Sequence, residues 1–167
     1  MKMFQRTLVG LAVAAALSSG AAQAQISDNV IKIGVLSDMS SLYTDLAGAG
    51  SVVAARMAVE DSGIEKRGYK VEYVSADHQN KADVGSAIAR QWYDTDKVDV
   101  IVDVPNSGVA HAVNQITKDK GKAFLVSGAA SSDLTGKACS PNTIHWTYDT
   151  WMLANGTGSA IVKTGGD

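Results

Sequence analysis

The sequence predicts an α/β fold, a parallel sheet with helices on both faces, and three observations carry that prediction. Short β-branched runs alternate with longer segments of helical spacing through most of the chain. Two of the helical segments stop at a glycine, Gly63 and Gly121, as a helix does when it hands over to a following strand. The third strand-like run, Val98 to Val104 (VDVIVDV), stops at Pro105, which cannot donate to a ladder.

Val30 to Leu36 (VIKIGVL) reads as the first buried strand. Gly48 to Asp61 follows as a helix, with Val52, Val53, Arg56, Met57 and Val59 at mostly helical spacing. Val71 to Ala76 alternates as the second strand. The second helix is expected over Asn80 to Thr95, with Asn80 as its cap, Asp83 in its first turn, and Val84, Ile88 and Trp92 as its buried stripe. After the strand Val98 to Val104 comes a helix over Gly108 to Lys120, capped by Asn106 or Ser107, and Ala123 to Val126 is the fourth strand. Ile144 to Trp151 (IHWTYDTW) is dense in aromatic residues. As a fifth strand it would put His145 and Thr147 on one face and Trp146 and Tyr148 on the other. It could serve as a ligand wall, but for Trp146 core packing is preferred.

All strand ends of a parallel sheet lie on one edge, and ligands bind in the crevice there. The loops on that edge are Ser37 to Ala47, Asp77 to Asn80, Pro105 to Gly108, and Ser127 to Thr135. They are rich in hydroxyls, amides and glycine. The two turns at Asn106-Ser107 and Ala130-Ser131-Ser132 contain no lysine or arginine, so an anion held there would rest on free helix N–H groups and serine hydroxyls. Small residues in "LVSGAASSDLTG" (125 to 136) would let a ligand approach the backbone itself. An equally weighted reading is that Ser131 or Ser132 caps a short turn over Asp133 to Gly136.

Other chemistries find little support. Gly48-Ala49-Gly50 is only half of a dinucleotide fingerprint: Val53 stands at the third glycine, and eleven residues separate Leu36 from Gly48. Close packing of the helix start against the sheet is the better use of those small residues. No nucleophile elbow, phosphate loop or zinc-protease motif occurs. His78, His111 and His145 are scattered and read as surface or satisfied side chains, with His111 placed away from the strand ends. Asp38, Asp45 and Asp77 could cluster at the crevice, although Asp77 equally well starts a turn. No catalytic residue, metal site or cofactor is expected.

Residues 1 to 24 have the grammar of a cleaved export signal: Lys2 and Arg6, the apolar run Leu8 to Leu17, and the Ala22-Gln23-Ala24 cleavage site. The apolar run is too short to span a bilayer. The remaining chain holds 13 basic and 17 acidic residues, a net charge of about −4 without a basic cluster. That argues against nucleic acid or an anionic membrane as partner. A single cysteine, Cys139, cannot form an internal disulfide, so the fold must rest on its core. The helix-then-glycine ending at Lys163 to Asp167, with no strand after it, reads as a chain cut short.

The stretches "IKIGVLSDMSSLYTDLAGAGSVVAARMAVED", "DHQNKADVGSAIARQW", "VDVIVDVPNSGVAHAV" and "LVSGAASSDLTGKACSPNTIHWTYDTW" resemble, in order and spacing, the N-terminal part of substrate-binding proteins of branched-chain amino acid (leucine/isoleucine/valine) ABC transporters. The resemblance implies the type I periplasmic-binding-protein fold, two lobes that close on a small molecule and deliver it to an inner-membrane permease. It divides the chain into the signal (1–24), an incomplete N-terminal lobe (25–146), and a hinge crossing with the first helix of the second lobe (147–167). It also implies a carboxylate grip by the serine that starts the helix after strand three and by groups after strand four. Here those are Asn106 and Ser107, then Gly128, Ala129, Ala130 and Ser131; Tyr43 is the candidate from the first loop, and Tyr148 stands at the hinge. Ala130 falls where leucine-binding relatives carry threonine, which leaves room for a shifted contact or a different ligand. The ammonium of an amino acid would be met by the second lobe, so an aromatic or other organic acid stands beside branched-chain amino acids as ligand. The expected protein is a periplasmic non-enzymatic binder, monomeric when full length; a ligand-sensing domain of the same fold is the alternative.

Overall fold

The computed structural model describes residues 29–166, so the export signal read at 1–24 lies outside the described residues. The elements run β1 (Val30–Ser37), α1 (Gly48–Ser62), a 3-10 turn (Glu65–Arg67), β2 (Lys70–Asp77), α2 (Ala82–Asp94), β3 (Val100–Asp103), α3 (Ser107–Lys120), β4 (Ala123–Val126), a second 3-10 turn (Ser132–Leu134) and β5 (Thr143–His145). A last helical stretch comprises α4 (Thr150–Leu153), a π-helical turn (Ala154–Gly158) and α5 (Ser159–Lys163). The five strands form one parallel sheet in the order β2-β1-β3-β4-β5. From β1 the chain steps to β2 on one side and returns to β3 on the other. That reversal makes the loops after β1 and β3 the walls of a topological switch-point crevice.

The expected fold class is therefore observed, with helices on both faces. Gly34 of β1 faces α2, where a Cβ would lie 2.5 Å from the Trp92 ring. Its neighbour Ile33 faces the other way, into a cavity of about 420 Å³ that α1 lines with Ala55 and Val59. The core sits on the α2/α3 side, where Leu36, Ile101, Phe124 and Val126 of the sheet meet Ala89, Trp92, Tyr93, Val109, Val113 and Ile116. The two helices approach closely because Gly85 has no side chain: a Cβ there would lie 2.5 Å from Val109 Cγ1. One buried polar pair is satisfied within this layer, as Tyr93 Oη contacts Thr117 Oγ1 at 2.9 Å and donates to the Ala123 carbonyl at 3.0 Å. Burial pushes the Tyr93 hydroxyl up to about 12, so it stays protonated.

Several boundaries differ from those expected. The second helix begins at Ala82, and its N-cap position is Lys81, which makes no side-chain cap. Asn80 is not a cap because the backbone at Gln79 and Asn80 turns left-handed (φ 53° and 58°), which Asn tolerates better than most residues. The buried face of α2 is centred one residue on from the expected stripe, at Gly85, Ala89, Trp92 and Tyr93, with Ile88 packed at its flank. On α1, Val53 and Met57 are exposed, and Val52 and Val59 are half-buried. The fifth strand stops at His145, so the alternation expected through Tyr148 is not formed. Trp146, expected in the core, is 68% exposed at the rim of the α1-side cavity. The physical reason is that α1 contacts β1 and β2, which leaves the β4–β5 side of that sheet face open.

Candidate functional site

The loop after β1 is organised by its first two residues. Ser37 Oγ accepts from Gly48 N at 3.0 Å and so ties the start of α1 to the strand end. The close packing expected of Gly48-Ala49-Gly50 is not seen: a Cβ at Gly48 would make only ordinary contact with the Asp38 carbonyl (3.4 Å) and one at Gly50 would meet nothing, whereas Gly48 has a left-handed backbone (φ 50°) that favours glycine. Asp38, fully buried, accepts from Ser41 N (3.0 Å), Ser41 Oγ (2.6 Å) and Tyr43 N (2.9 Å). Burial pushes this carboxyl up, but those donors outweigh it and hold it below its ordinary value of 3.8. Asp77 does the same for the facing loop, accepting from Met39 N, Ser40 Oγ and Gln79 N. Asp38 and Asp77 are thus turn-builders saturated with donors, and Asp45 is exposed apart from them. No group of three or more His, Cys, Asp or Glu suited to a metal occurs among the described residues.

A stability consequence follows for acid. Because the folded-state value of Asp38 is depressed, its stabilisation is present above the ordinary carboxylate range and is lost as pH falls through the folded value. Asp38→Asn should be less stable than the parent at pH 7, and the gap should narrow below about pH 3.8. Urea unfolding midpoints across that range measure it; a gap that stays constant would contradict the assignment.

The backbone is strained where β3 ends and its loop begins. Asp103 and Val104 have φ of 82° and 60°, and a β-branched residue in that region is a true outlier. Val104 N still donates to the Leu36 carbonyl at 3.0 Å. The kink turns Pro105 and Asn106 off the sheet edge into α3. Asn106 is the cap of this helix, its Oδ1 accepting from Val109 N at 2.9 Å. The first two helical N–H groups, of Ser107 and Gly108, then have no acceptor within the helix. Ser107 Oγ accepts from Ala130 N at 3.2 Å. A hydroxyl that accepts one bond keeps its own hydrogen to give away.

The loop after β4 is held from three sides. Gly128 lies against Pro105, where a Cβ would come within 2.9 Å of Cα, so only glycine lets the two loops approach this closely. Ala129 is fully buried, and its carbonyl contacts His145 Nε2 at 2.6 Å. Ser131 Oγ contacts His111 Nε2 at 2.8 Å. The Ala130 carbonyl accepts from Thr150 N at 2.8 Å, which joins this loop to the start of α4. Ser131 stands at the N-cap position of the 3-10 turn without a side-chain cap, so the capping reading for it does not hold.

Asn106, Ser107, Gly128, Ala129, Ala130 and Ser131 are thus brought together at the β3 and β4 ends. Tyr43 sits half-buried in the neighbouring β1 loop, and Tyr148 is exposed after β5. Sequence reasoning missed two histidines. His111 is not remote from the strand ends, since one helical turn carries it from Ser107 to Ser131. His145 reaches the same loop from β5. His78, read as surface or satisfied, is fully buried; its Nδ1 accepts from Asn80 N at 3.0 Å and its Nε2 has no partner among the described residues. Burial lowers its basicity despite the nearby carboxylates of Asp38, Asp77 and Asp103, so the ring is held neutral. Cys139 is exposed and free, and no helix among the described residues is long and apolar enough to cross a membrane.

A family model described as periplasmic binding protein matches residues 30–167. Among solved structures, the chain is similar to a periplasmic binding protein of Burkholderia mallei, at 45% identity and TM-score 0.78 over 83% of this chain and 37% of that one. A branched chain amino acid ABC transporter periplasmic ligand-binding protein of Burkholderia xenovorans is 43% identical, with TM-score 0.75 over 81% of this chain and 36% of that one. An R. palustris ABC transporter solute binding protein in complex with benzoate has the same fold at 24% identity and TM-score 0.75, over 81% and 38%. The chain therefore spans a little over a third of the length of these structures. No curated protein matches it.

Proposed function

We propose that this chain, which belongs to the periplasmic binding protein family, supplies the carboxylate-gripping lobe of a solute-binding protein that serves an ABC importer outside the cytoplasm. The observation that carries the reading is Ser107. Its hydroxyl spends an acceptor position on Ala130 N and keeps its hydrogen for a ligand, beside two helix N–H groups without an intrahelical acceptor. Donors of this kind, with the positive end of the α3 dipole behind them, suit a carboxylate. Ala129, read from the sequence as a ligand contact, is instead packed in the core and supports the loop from beneath. Ala130 adds little bulk, so a ligand can lie against the backbone there, and Tyr43 and Tyr148 would flank it.

The ligand is a small carboxylate, either a branched-chain amino acid or an aromatic acid. Two relatives support the pair: one similar structure is described as a branched chain amino acid transporter component, and another of the same fold holds benzoate. The segment from residue 147 onward would be the hinge crossing and first helix of a second lobe. Ligand contacts made only when the lobes close would then shift the protein toward its closed form. The Thr150 N bond to the Ala130 carbonyl would link that crossing directly to the cradle.

A thermal-shift screen of the full-length protein against leucine, isoleucine, valine, benzoate, 4-hydroxybenzoate and short aliphatic acids tests this. A true ligand at about 100 times its dissociation constant should add roughly 2.7 kcal/mol of stability. A shift with at least one of these acids is expected, and no shift with any would overturn the reading.

A further inference from the structure

We propose that Asn80 is a positioning residue for the carboxylate site, acting through Asn106; this rests on the binding reading above. Asn80 lies in the loop after β2, two residues past the fully buried His78, and touches none of Ser107, Ala129 or Ala130 through a hydrogen bond. Its side-chain carbonyl accepts a hydrogen bond from Asn106 Nδ2. The other end of the same Asn106 amide accepts from Val109 N and caps α3. The two bonds are mutually dependent, because a flipped Asn106 amide would present its NH₂ to the Val109 N–H and its oxygen to the Asn80 oxygen. Asn80 thus reinforces, together with the Val109 N–H, the amide orientation that caps the helix at Val109 and leaves the Ser107 and Gly108 N–H groups to face a ligand.

Asn80 is itself held in place. Its N–H donates to His78 Nδ1 at 3.0 Å, and His78 N donates to the Ser37 carbonyl at 2.9 Å. Both Gln79 and Asn80 lie at positive φ, a conformation with a cost that an ordinary turn would not need. His78 is fully buried, and its Cβ lies beside Gly85 of α2, within ordinary contact distance (3.5 Å) of where a Cβ there would stand. The chain of contacts therefore runs from the β1/β2 edge, through a buried imidazole and two asparagines, to the first turn of α3.

The test separates side chain from backbone. Asn80→Gly keeps the left-handed backbone at no steric cost and deletes the acceptor, whereas Asn80→Asp keeps an acceptor for Asn106 Nδ2. Two readouts are taken on the full-length protein: hydrogen exchange of the Val109 amide without ligand, and dissociation constants for benzoate and L-leucine. Asn80→Gly should speed Val109 exchange and weaken binding of whichever acid the parent takes by roughly 2- to 10-fold, with the melting temperature held. Asn80→Asp, which keeps the acceptor but adds a charge that would repel a carboxylate, should restore Val109 exchange toward the parent value. Parent-like exchange in Asn80→Gly, or faster exchange with unchanged affinity, would overturn the inference. Ser107→Ala is the control for the site: unchanged affinity there would sink the binding reading, while Val109 exchange would still judge the Asn80–Asn106 pair by itself.

Discussion

Ser107→Ala in the full-length protein should weaken carboxylate binding by about 10- to 150-fold, the loss of one hydrogen bond to a charged group. The fold should survive, because the cap of α3 is the Asn106 side chain and not the serine. Ala130 N loses its acceptor, but Ala130 is only half-buried and water can replace it. Ser107→Thr keeps the hydroxyl and should retain most of the affinity. Titration calorimetry and thermal melts on the three proteins measure this together. A fall in affinity matched by an equal fall in stability would point to a local structural role for Ser107, and an unchanged affinity would remove it from the site.

The second large effect concerns the core. Trp92 is nearly buried and occupies the space that Gly34 leaves open on β1, with Val98 as the third wall. Trp92→Ala should cost about 3–5 kcal/mol through lost burial and the cavity it leaves. Gly34→Ala should cost about 1–3 kcal/mol by overpacking, since its Cβ would lie 2.5 Å from two ring carbons and 3.2 Å from Val98 Cγ1. The two sites should be coupled. Gly34→Ala made on a Trp92→Leu background should cost less than on the parent, because the smaller side chain makes way for the methyl. Denaturant unfolding of the four proteins gives the coupling; strict additivity would mean that Gly34 is not there to seat the ring.

The fold was legible because its signals are local. The β-branched runs, Pro105 after β3 and the glycines after α1 and α3 all act on neighbouring backbone, and β4 was placed residue for residue at Ala123–Val126. Sequence alone leaves the cap of α3 between Asn106 and Ser107, and the structure gives the two residues different tasks. What stayed hidden depends on contacts distant in sequence. Asn80 resembles a helix cap because Asn before a helix usually is one, and only its partner 26 residues on explains it. His111 looks remote from the strand ends on a linear count, yet it lies one turn from Ser107 on the same helix face. Trp146 is exposed because aromatic character speaks for burial only if something covers the face it lies on.

The measurement that bears most directly on the central claim is a calorimetric comparison of acids with their neutral amides on the full-length protein: benzoate against benzamide, and leucine against leucinamide. A cradle of helix N–H groups and a serine hydroxyl recognises negative charge, so at least one acid should bind one-to-one, with its amide weaker by roughly 100-fold or more. Equal affinity for an acid and its amide would contradict a carboxylate grip at Ser107 and the start of α3.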